Sequence, residues 1–344
     1  MKLCSNCFLD YEVQSFIEAS GQQADCDFCE TEKTKTINAA ELIDFIESLI
    51  SNFEHSKSGE SLVAKIQSDL TLFKNEQIGK KILDFVIQEA LILNVDSATD
   101  LVDYNDDIKD SINYWDEIKE SLKWRNRFIP DIILRGDEKF NWRDIILDPN
   151  NSTHLDRNQK LYRARIHQEK GQAKFPPEKM GTPDKEISKA GRANPAGIPY
   201  LYLSLDDETV LYETRATKHD EISIATFVLK QGIDSIPIFD FTKQTSIFQE
   251  IVNPSIKNRL LIKKISEDLS RPLRRFDSEL DYIPTQFICE YIKVFGDFKG
   301  IKFSSSLNPK RGYNIVIFEP TLMECIQVKK FEIDDQKLSK IEII

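Results

Sequence analysis

Hydrophobic and polar residues follow two different periods along this chain, and the change falls near residue 150. Before that point, apolar residues recur every three or four positions, which is the period of one helix face. Beyond it, short runs of aromatic and β-branched residues are separated by turn residues, as in β-strands. The pattern predicts a helical front half and an α+β second half with several strands and few helices.

Three stretches of the front half are candidate helices. In INAAELIDFIESLISNFE, residues 37–54, Asn38 and Glu41 resemble a capping box. Its apolar residues share one predicted helix face: Ile37, Leu42, Phe45, Ile46, Leu49 and Phe53. GKKILDFVIQEALIL (79–93) and DDIKDSINYWDEIKESLKWRNRFI (106–129) complete a predicted helical bundle. Nuclease-type helical domains carry an Arg and a His a few residues apart on one helix. The only His of this bundle is His55, and no Arg precedes it in the chain, so we expect the bundle to be non-catalytic.

The second half begins after a polar break, DPNNSTHLDRN, at residues 148–158. Seven segments then predict strands: KLYRARI, IPYLYLSL, ISIATFVL, SIPIFDF, KGIKFSS, YNIVIFE and CIQVKKFEI. DETVLYETRA predicts a short helix that Asp206 or Asp207 can cap. YIPTQFICEYIKVFG predicts a longer helix introduced by Pro284.

Composition narrows the class of protein. Of 344 residues, 40% are hydrophobic and 30% charged, as in an ordinary globular chain. The net charge of -11 argues against general binding to nucleic acid or membrane surfaces, because both are anionic. We see no secretory signal and no apolar run of the roughly 20 residues that would span a bilayer. We therefore expect a cytoplasmic protein, and we expect it to form a homo-oligomer.

Four of the six cysteines form two CxxC pairs near the start of the chain: Cys4, Cys7, Cys26 and Cys29. The spacing predicts a closed four-thiolate Zn²⁺ site, hence a structural metal, in a knuckle domain of residues 1–34. Unrelated buried thiols or a redox CxxC are weaker readings, because no βαβ pattern surrounds either pair. The acidic residues around the pairs favour a scaffold or protein-contact role over nucleic-acid binding.

Neither GxGxxG nor GxxxxGK[ST] occurs, so a nucleotide would have to be held by side chains such as Arg. Arg163 and Arg165 share one strand face, which suits a diphosphate or an exposed edge equally well. Tyr202 suits ring stacking or a core position. Glu213 could simply be a solvated helix residue, and the run of residues 304–306 could be turn chemistry.

Taken in order, the second-half segments resemble the RES family, which is named for its Arg, Glu and Ser. The matching pieces across residues 161–319 are YRARI, GRANPAGIPYLYLS, LYETR, DYIPTQFICEYI and GIKFSSSLNPKRGYNIVIF. The front half looks like the N-terminal extension of some RES proteins. The resemblance implies a helical domain over 35–150 and a compact, mixed-sheet RES catalytic domain over 155–344, related to ADP-ribosyltransferases.

The resemblance also implies a toxin-type enzyme that destroys NAD⁺ and is often restrained by an antitoxin or regulatory protein. Carried over by motif, the family's Arg falls on Arg163, with Arg165 as a nearby alternative. The aromatic falls on Tyr202, the Glu on Glu213, and the Ser on Ser305, with its two serine neighbours left open. Two positions depart from the family pattern: Ala193 replaces an aromatic, and Phe303-Ser304 replaces Tyr-Pro.

The resemblance implies the reaction, cleavage of the nicotinamide–ribose bond of NAD⁺, and a toxin–antitoxin or phage-defence setting. Glu213 would stabilise the oxocarbenium-like transition state, as carboxylates do in glycoside cleavage. Arg163 and Arg165 would hold the diphosphate, Tyr202 would stack on nicotinamide, and Ser305 would hydrogen-bond the ligand. The acceptor stays open between water, phosphate and a protein. The alternatives are a protein ADP-ribosyltransferase and a non-enzymatic regulator built on the zinc knuckle.

Overall fold

A computed structural model of the chain describes residues 1–90, 94–128, 142–271, 278–308, 310 and 312–334. The ends of two predicted helices, at residues 91–93 and 129, lie outside these ranges. So do residues 129–141 of the predicted helical domain and residues 335–344 of the predicted RES domain. Within the described ranges, no helix combines the length and apolar character needed to cross a membrane.

The chain divides into two compact units. The first comprises Met1–Glu117 and Gln244–Lys264, and the second comprises Ile118–Lys243 and Ile265–Ile344. The first unit therefore includes a segment from the second half of the sequence. The three domains expected from the sequence remain a prediction, since their limits follow composition rather than contacts.

The first unit combines helices with short strands. Its strands are β1 (Lys2–Cys4), β2 (Gln22–Ala24), β3 (Thr34–Asn38), β4 (Phe53–Ser61) and β5 (Leu101–Tyr104). Its helices are α1 (Tyr11–Ser20), α2 (Ile43–Ile50), α3 (Leu62–Leu70), α4 (Glu76–Glu89) and most of α5 (Asp106–Trp124). The predicted helices are confirmed, but the unit is not purely helical.

The first candidate helix is shorter than its apolar periodicity predicts. Ile37 was wrongly placed on the helix, because it belongs to β3 and pairs with Leu3 of β1. The predicted capping box of Asn38 and Glu41 is present and ends that strand. Phe53, at the other end, begins β4 and stacks on Tyr104 with ring centroids 4.8 Å apart. Pairing with neighbouring strands therefore overrides the helical period at both ends.

The second unit contains an eight-stranded sheet in the described residues. After α6 (Trp142–Leu147), its strands are β6 (Ser152–Asp156), β7 (Leu161–Ile166), β8 (Leu201–Ser204), β9 (Glu221–Leu229), β10 (Ser235–Asp240), β11 (Gly300–Ser304), β12 (Tyr313–Ile317) and β13 (Met323–Glu332). Its further helices are α7 (Pro177–Met180), α8 (Thr209–Glu213) and α10 (Ile283–Phe295), whereas α9 (Val252–Ser270) belongs to the first unit up to Lys264. All seven predicted strands and both predicted helices of this half are confirmed, and the fold is α+β.

Strand order in the sheet is β13-β9-β7-β8-β12-β11-β10-β6. Only the β10–β11 pair is parallel among the described strands. Strand β6 lies in the stretch predicted as a polar break; as an edge strand it buries only Leu155, so its sequence stays polar. β7 and β8 meet through one residue pair, Tyr162 with Ser204. The sheet therefore opens between these two central strands.

Gly300 tests the close packing of β11 against β12. A Cβ at this position would lie 2.4 Å from the carbonyl oxygen of Val316, a backbone atom that cannot move aside. We expect Gly300→Ala to lower the free energy of unfolding by about 1–3 kcal/mol. The matched control is Gly181→Ala, whose Cβ would have no atom nearer than 3.9 Å. Urea unfolding of both variants measures the difference, and equal midpoints would contradict this packing.

Candidate functional site

A cavity of about 380 Å³ lies in the second unit, where β7 and β8 separate. Both strands line it, together with α8, β12 and the turn at residues 191–192. Its functional side chains include Arg163, Arg192, Tyr202, Glu213, Ser306 and Asn314. The volume is within the range of small-molecule sites.

Arg163 projects from β7 into the opening. Its Nη1 donates a hydrogen bond to the backbone oxygen of Tyr202, 3.2 Å away. That carbonyl belongs to β8, so the guanidinium supplies a donor where the two strands no longer pair. Burial, together with the charge of Arg165, lowers the pKa of Arg163 to about 10. The Nε of Arg163 is buried and has no hydrogen-bond partner among the described residues.

Arg192 is a second cation of the cavity, and the sequence analysis did not select it. It lies in the GRAN turn, and its Nη1 donates to the backbone oxygen of Leu269 at 2.6 Å. Burial lowers its pKa, although Tyr282 and Glu213 counteract the shift. The only sequence signal was a Gly-Arg pair in a turn, where arginines are usually solvated.

Neither cavity arginine forms an ion pair with a carboxylate within 4.0 Å in the described part of the chain. Arg165, the other predicted arginine, is not part of the cavity lining. It donates from Nη2 to the backbone oxygen of Gly181 at 2.7 Å. The two predicted arginines are therefore neighbours with different surroundings, and only Arg163 faces the cavity.

Tyr202 forms one wall of the cavity, and its hydroxyl both donates and accepts a hydrogen bond. The hydroxyl donates to Asn194 Oδ1 at 2.8 Å and accepts from the backbone N–H of Ala193 at 3.0 Å. Burial raises the pKa of Tyr202, so the hydroxyl keeps its proton. The tight turn brings Gly191 against the same hydroxyl, where a Cβ would lie 2.6 Å from it. The ring is thus held rigidly at the cavity.

Glu213 is the only carboxylate of the cavity among the described residues. It is the last residue of α8, whose first residue, Thr209, donates its N–H to Asp206 at 2.6 Å. Glu213 Oε1 accepts two hydrogen bonds, from Ser305 Oγ at 2.6 Å and from Asn314 Nδ2 at 2.7 Å. The side chain is nevertheless exposed. Asn314 was not anticipated from the sequence, since a buried strand Asn carries no motif of its own.

The three consecutive serines have different surroundings. Ser305 is buried, donates to Glu213, and is fixed by its own N–H bond to the Gly312 oxygen at 2.8 Å. Ser304 pairs with Tyr313 in the β11–β12 ladder. Ser306 lines the cavity, and its hydroxyl donates to the backbone oxygen of Ser270. Of the three, Ser305 is the one that touches the acidic residue.

The cavity thus combines separated charges with an aromatic wall. Two half-buried guanidiniums have no carboxylate within 4.0 Å among the described residues, and a carboxylate is held by two donors while remaining exposed. Buried cations without counter-ions are unfavourable unless an anionic ligand compensates them. Such an arrangement can bind an anionic group at one part of the cavity and stabilise a cation at another.

The four N-terminal cysteines cluster in the first unit. Three of them are buried, and their four sulfur atoms all lie within 4.8 Å of one another. Sγ–Sγ distances are 3.3 Å for Cys4–Cys29 and 3.6 Å for Cys7–Cys26. Thiolates at Zn–S distances of 2.3 Å in a tetrahedron stand about 3.8 Å apart, so the cluster could hold one metal ion. The neighbouring Cys26 and burial raise the pKa of Cys7, which a bound cation would offset.

Comparison with known proteins gives one result at the level of families. No curated protein matches the chain. A family model described as the RES domain matches residues 160–338, slightly more than half of the sequence. The match contains β7–β13 and every cavity residue named above. On this evidence, the chain belongs to the RES domain family.

Proposed function

We propose that this protein consumes NAD⁺ by cleaving the bond between nicotinamide and ribose. One observation carries the proposal: Arg163 is half-buried, with a buried Nε that has no partner and no carboxylate in reach among the described residues, in the same cavity as the exposed carboxylate of Glu213. A dinucleotide offers matching chemistry, with an anionic diphosphate and a ribose carbon that becomes cationic as nicotinamide leaves. Membership of a family resembling NAD⁺-destroying toxins supports the same reading.

The reaction needs little acid catalysis, because nicotinamide leaves as a neutral molecule. The C1–N bond breaks with its electron pair going to the ring, and the ribose passes through an oxocarbenium-like transition state. We assign the stabilisation of that cation to Glu213, whose Oε1 is fixed by Ser305 and Asn314. Preorganised charge of this kind supplies its stabilisation without reorganising during the reaction.

The remaining residues would bind and orient the substrate. We assign the diphosphate to Arg163 and add Arg192, because both guanidiniums line the cavity and lack carboxylate partners. Arg165 would contribute through its charge, since it lies beside Arg163 and is engaged by Gly181. The Tyr202 ring would provide the stacking wall for nicotinamide. Ser305 would act on the ligand through Glu213, the group that it contacts.

The acceptor defines the products. Attack by water yields ADP-ribose, nicotinamide and a proton, whereas phosphate or a protein side chain would take the ADP-ribose instead. We place the activity in a toxin–antitoxin or phage-defence setting, restrained by a regulatory protein. The enzyme would act as a homo-oligomer in the cytoplasm, and the cysteine cluster would hold one structural Zn²⁺. Four thiolates fill its coordination shell, so no step of the reaction involves it.

Glu213→Gln tests the catalytic assignment. The amide keeps the size of the side chain but removes the negative charge that the transition state requires. We expect nicotinamide release from NAD⁺ to fall by about 10²–10³-fold. Glu208→Gln is the matched control, because Glu208 precedes α8 and pairs with Lys310 rather than lining the cavity.

Chromatography of the reaction with labelled NAD⁺ separates free ADP-ribose, a phosphorylated product and labelled protein. Full turnover by a folded Glu213→Gln variant would reject the role of Glu213. Absence of nicotinamide release from the unmodified protein, with zinc bound and after removal of any copurified partner, would reject the proposed reaction.

Cys26→Ser tests the metal assignment. The purified protein should contain one zinc ion per chain, measured by plasma mass spectrometry. Removal of one thiolate should abolish stoichiometric zinc and lower the melting temperature of the first unit, since metal binding contributes directly to folding. Cys325→Ser, outside the cluster, should keep both properties of the parent. Equal zinc content in the two variants would contradict a four-cysteine site.

A further inference from the structure

We propose that Asn314, oriented by Ser204, is a positioning residue that fixes Glu213 and leaves its second carboxylate oxygen free for the substrate. The inference rests on the proposed function, because it assigns Glu213 to the reacting ribose. It extends that function to two residues outside the Arg, Glu and Ser for which the family is named. Both residues lie on central strands of the sheet, where the backbone is rigid.

Strand register places the pair. Asn314 of β12 lies directly opposite Ser204 of β8 in the antiparallel ladder. Both side chains are buried, Asn314 to 8% exposure and Ser204 to 3%. Ser204 Oγ donates to Asn314 Oδ1 at 2.7 Å. The cross-strand position thus places the Ser204 hydroxyl beside the oxygen of the Asn314 amide.

The hydrogen bonds determine which way the amide faces. A carboxylate can only accept, so the amide nitrogen must be the end that meets Glu213. The distance from Asn314 Nδ2 to Glu213 Oε1 is 2.7 Å. The oxygen then faces Ser204, whose proton holds it there. Reversal of the amide would bring two oxygen atoms together at the carboxylate, so Ser204 commits the donor to Glu213.

Both donors to Glu213 converge on one oxygen. Ser305 Oγ and Asn314 Nδ2 bond to Oε1, and Oε2 accepts no hydrogen bond from any described residue. An exposed Glu at a helix end otherwise samples several rotamers. Two charge-assisted bonds to a single oxygen therefore fix the rotamer and present the other oxygen to the cavity. Asn314 reaches the chemistry through Glu213, which makes it a positioning residue.

A double-mutant cycle on turnover tests whether Ser204 acts on Glu213 through Asn314. Asn314→Leu removes the donor at similar volume, and we expect kcat and kcat/KM to fall together by about 10- to 100-fold. Ser204→Ala should cost about 3- to 10-fold, because the amide loses its orienting proton. In the Asn314→Leu background, Ser204→Ala should cost nothing further, since no amide remains to be oriented. Additive losses of turnover in the double variant would overturn this action of Ser204 through Asn314.

Asn314→Asp gives a signature that a structural role would not produce. A protonated carboxyl at this position can donate to Glu213 as the amide does, whereas an ionised one repels it. We expect activity near that of the parent at about pH 5, with a loss of about 10-fold or more by pH 8. Arg163 and Arg192, the other charged groups lining the cavity, stay protonated over this range. A parallel pH profile for variant and parent would overturn the proposal.

The outcomes separate this inference from the proposed function. If the parent consumes NAD⁺ but both Asn314 variants match it, the positioning role fails and the function stands. If the parent consumes no NAD⁺, the function fails, and a second cycle still decides the contact. That cycle measures urea midpoints of Asn314→Leu, Glu213→Ala and the double variant, without substrate. Non-additive shifts support the hydrogen bond, and additive shifts overturn it.

Discussion

The guanidinium of Arg163 lies where β7 and β8 stop pairing, and it donates to a backbone oxygen that the broken ladder leaves open. Its charge has no carboxylate partner in the described structure, and its Nε has no acceptor. A protein tolerates such a cation only where another need outweighs the cost of burying it. The opening in the sheet, the cavity and the cation without a carboxylate partner therefore lie at one place, and the proposed function puts an anionic ligand there.

The cavity is also lined by a negatively charged group, the carboxylate of Glu213. Glu213 is exposed, yet one of its carboxylate oxygens is anchored by donors from the ends of two strands. Ser305 directly follows β11, and Asn314 is the second residue of β12, the strand paired with β11. These two hydrogen bonds thus hold the carboxylate of a short helix against the sheet. The cysteine cluster could hold a metal ion, and a bound ion would stabilise a segment with such short strands.

The sequence predicted most elements of the second unit, because alternating aromatic and β-branched runs mark strands regardless of their partners. It missed α9, although Leu261, Ile265 and Leu269 repeat every four residues and are buried. It also placed Ile37 on a helix, where pairing with β1 decided otherwise. Arg163, Tyr202 and Glu213 were selected through family resemblance, and the structure brings them to one cavity. Arg192 and Asn314 lie within the quoted segments GRANPAGIPYLYLS and GIKFSSSLNPKRGYNIVIF, but their places at the cavity come from turn geometry and strand register, which the type of residue alone does not reveal.

The proposal that half-buried Arg163 binds an anionic ligand can be tested directly by calorimetric titration of NAD⁺. The protein should carry Glu213→Gln so that the ligand survives, with and without Arg163→Met. The account predicts that the Met substitution weakens NAD⁺ binding by at least about 10-fold, as expected for losing a charge-assisted hydrogen bond to the diphosphate. Equal affinity for NAD⁺ in the two proteins would contradict it.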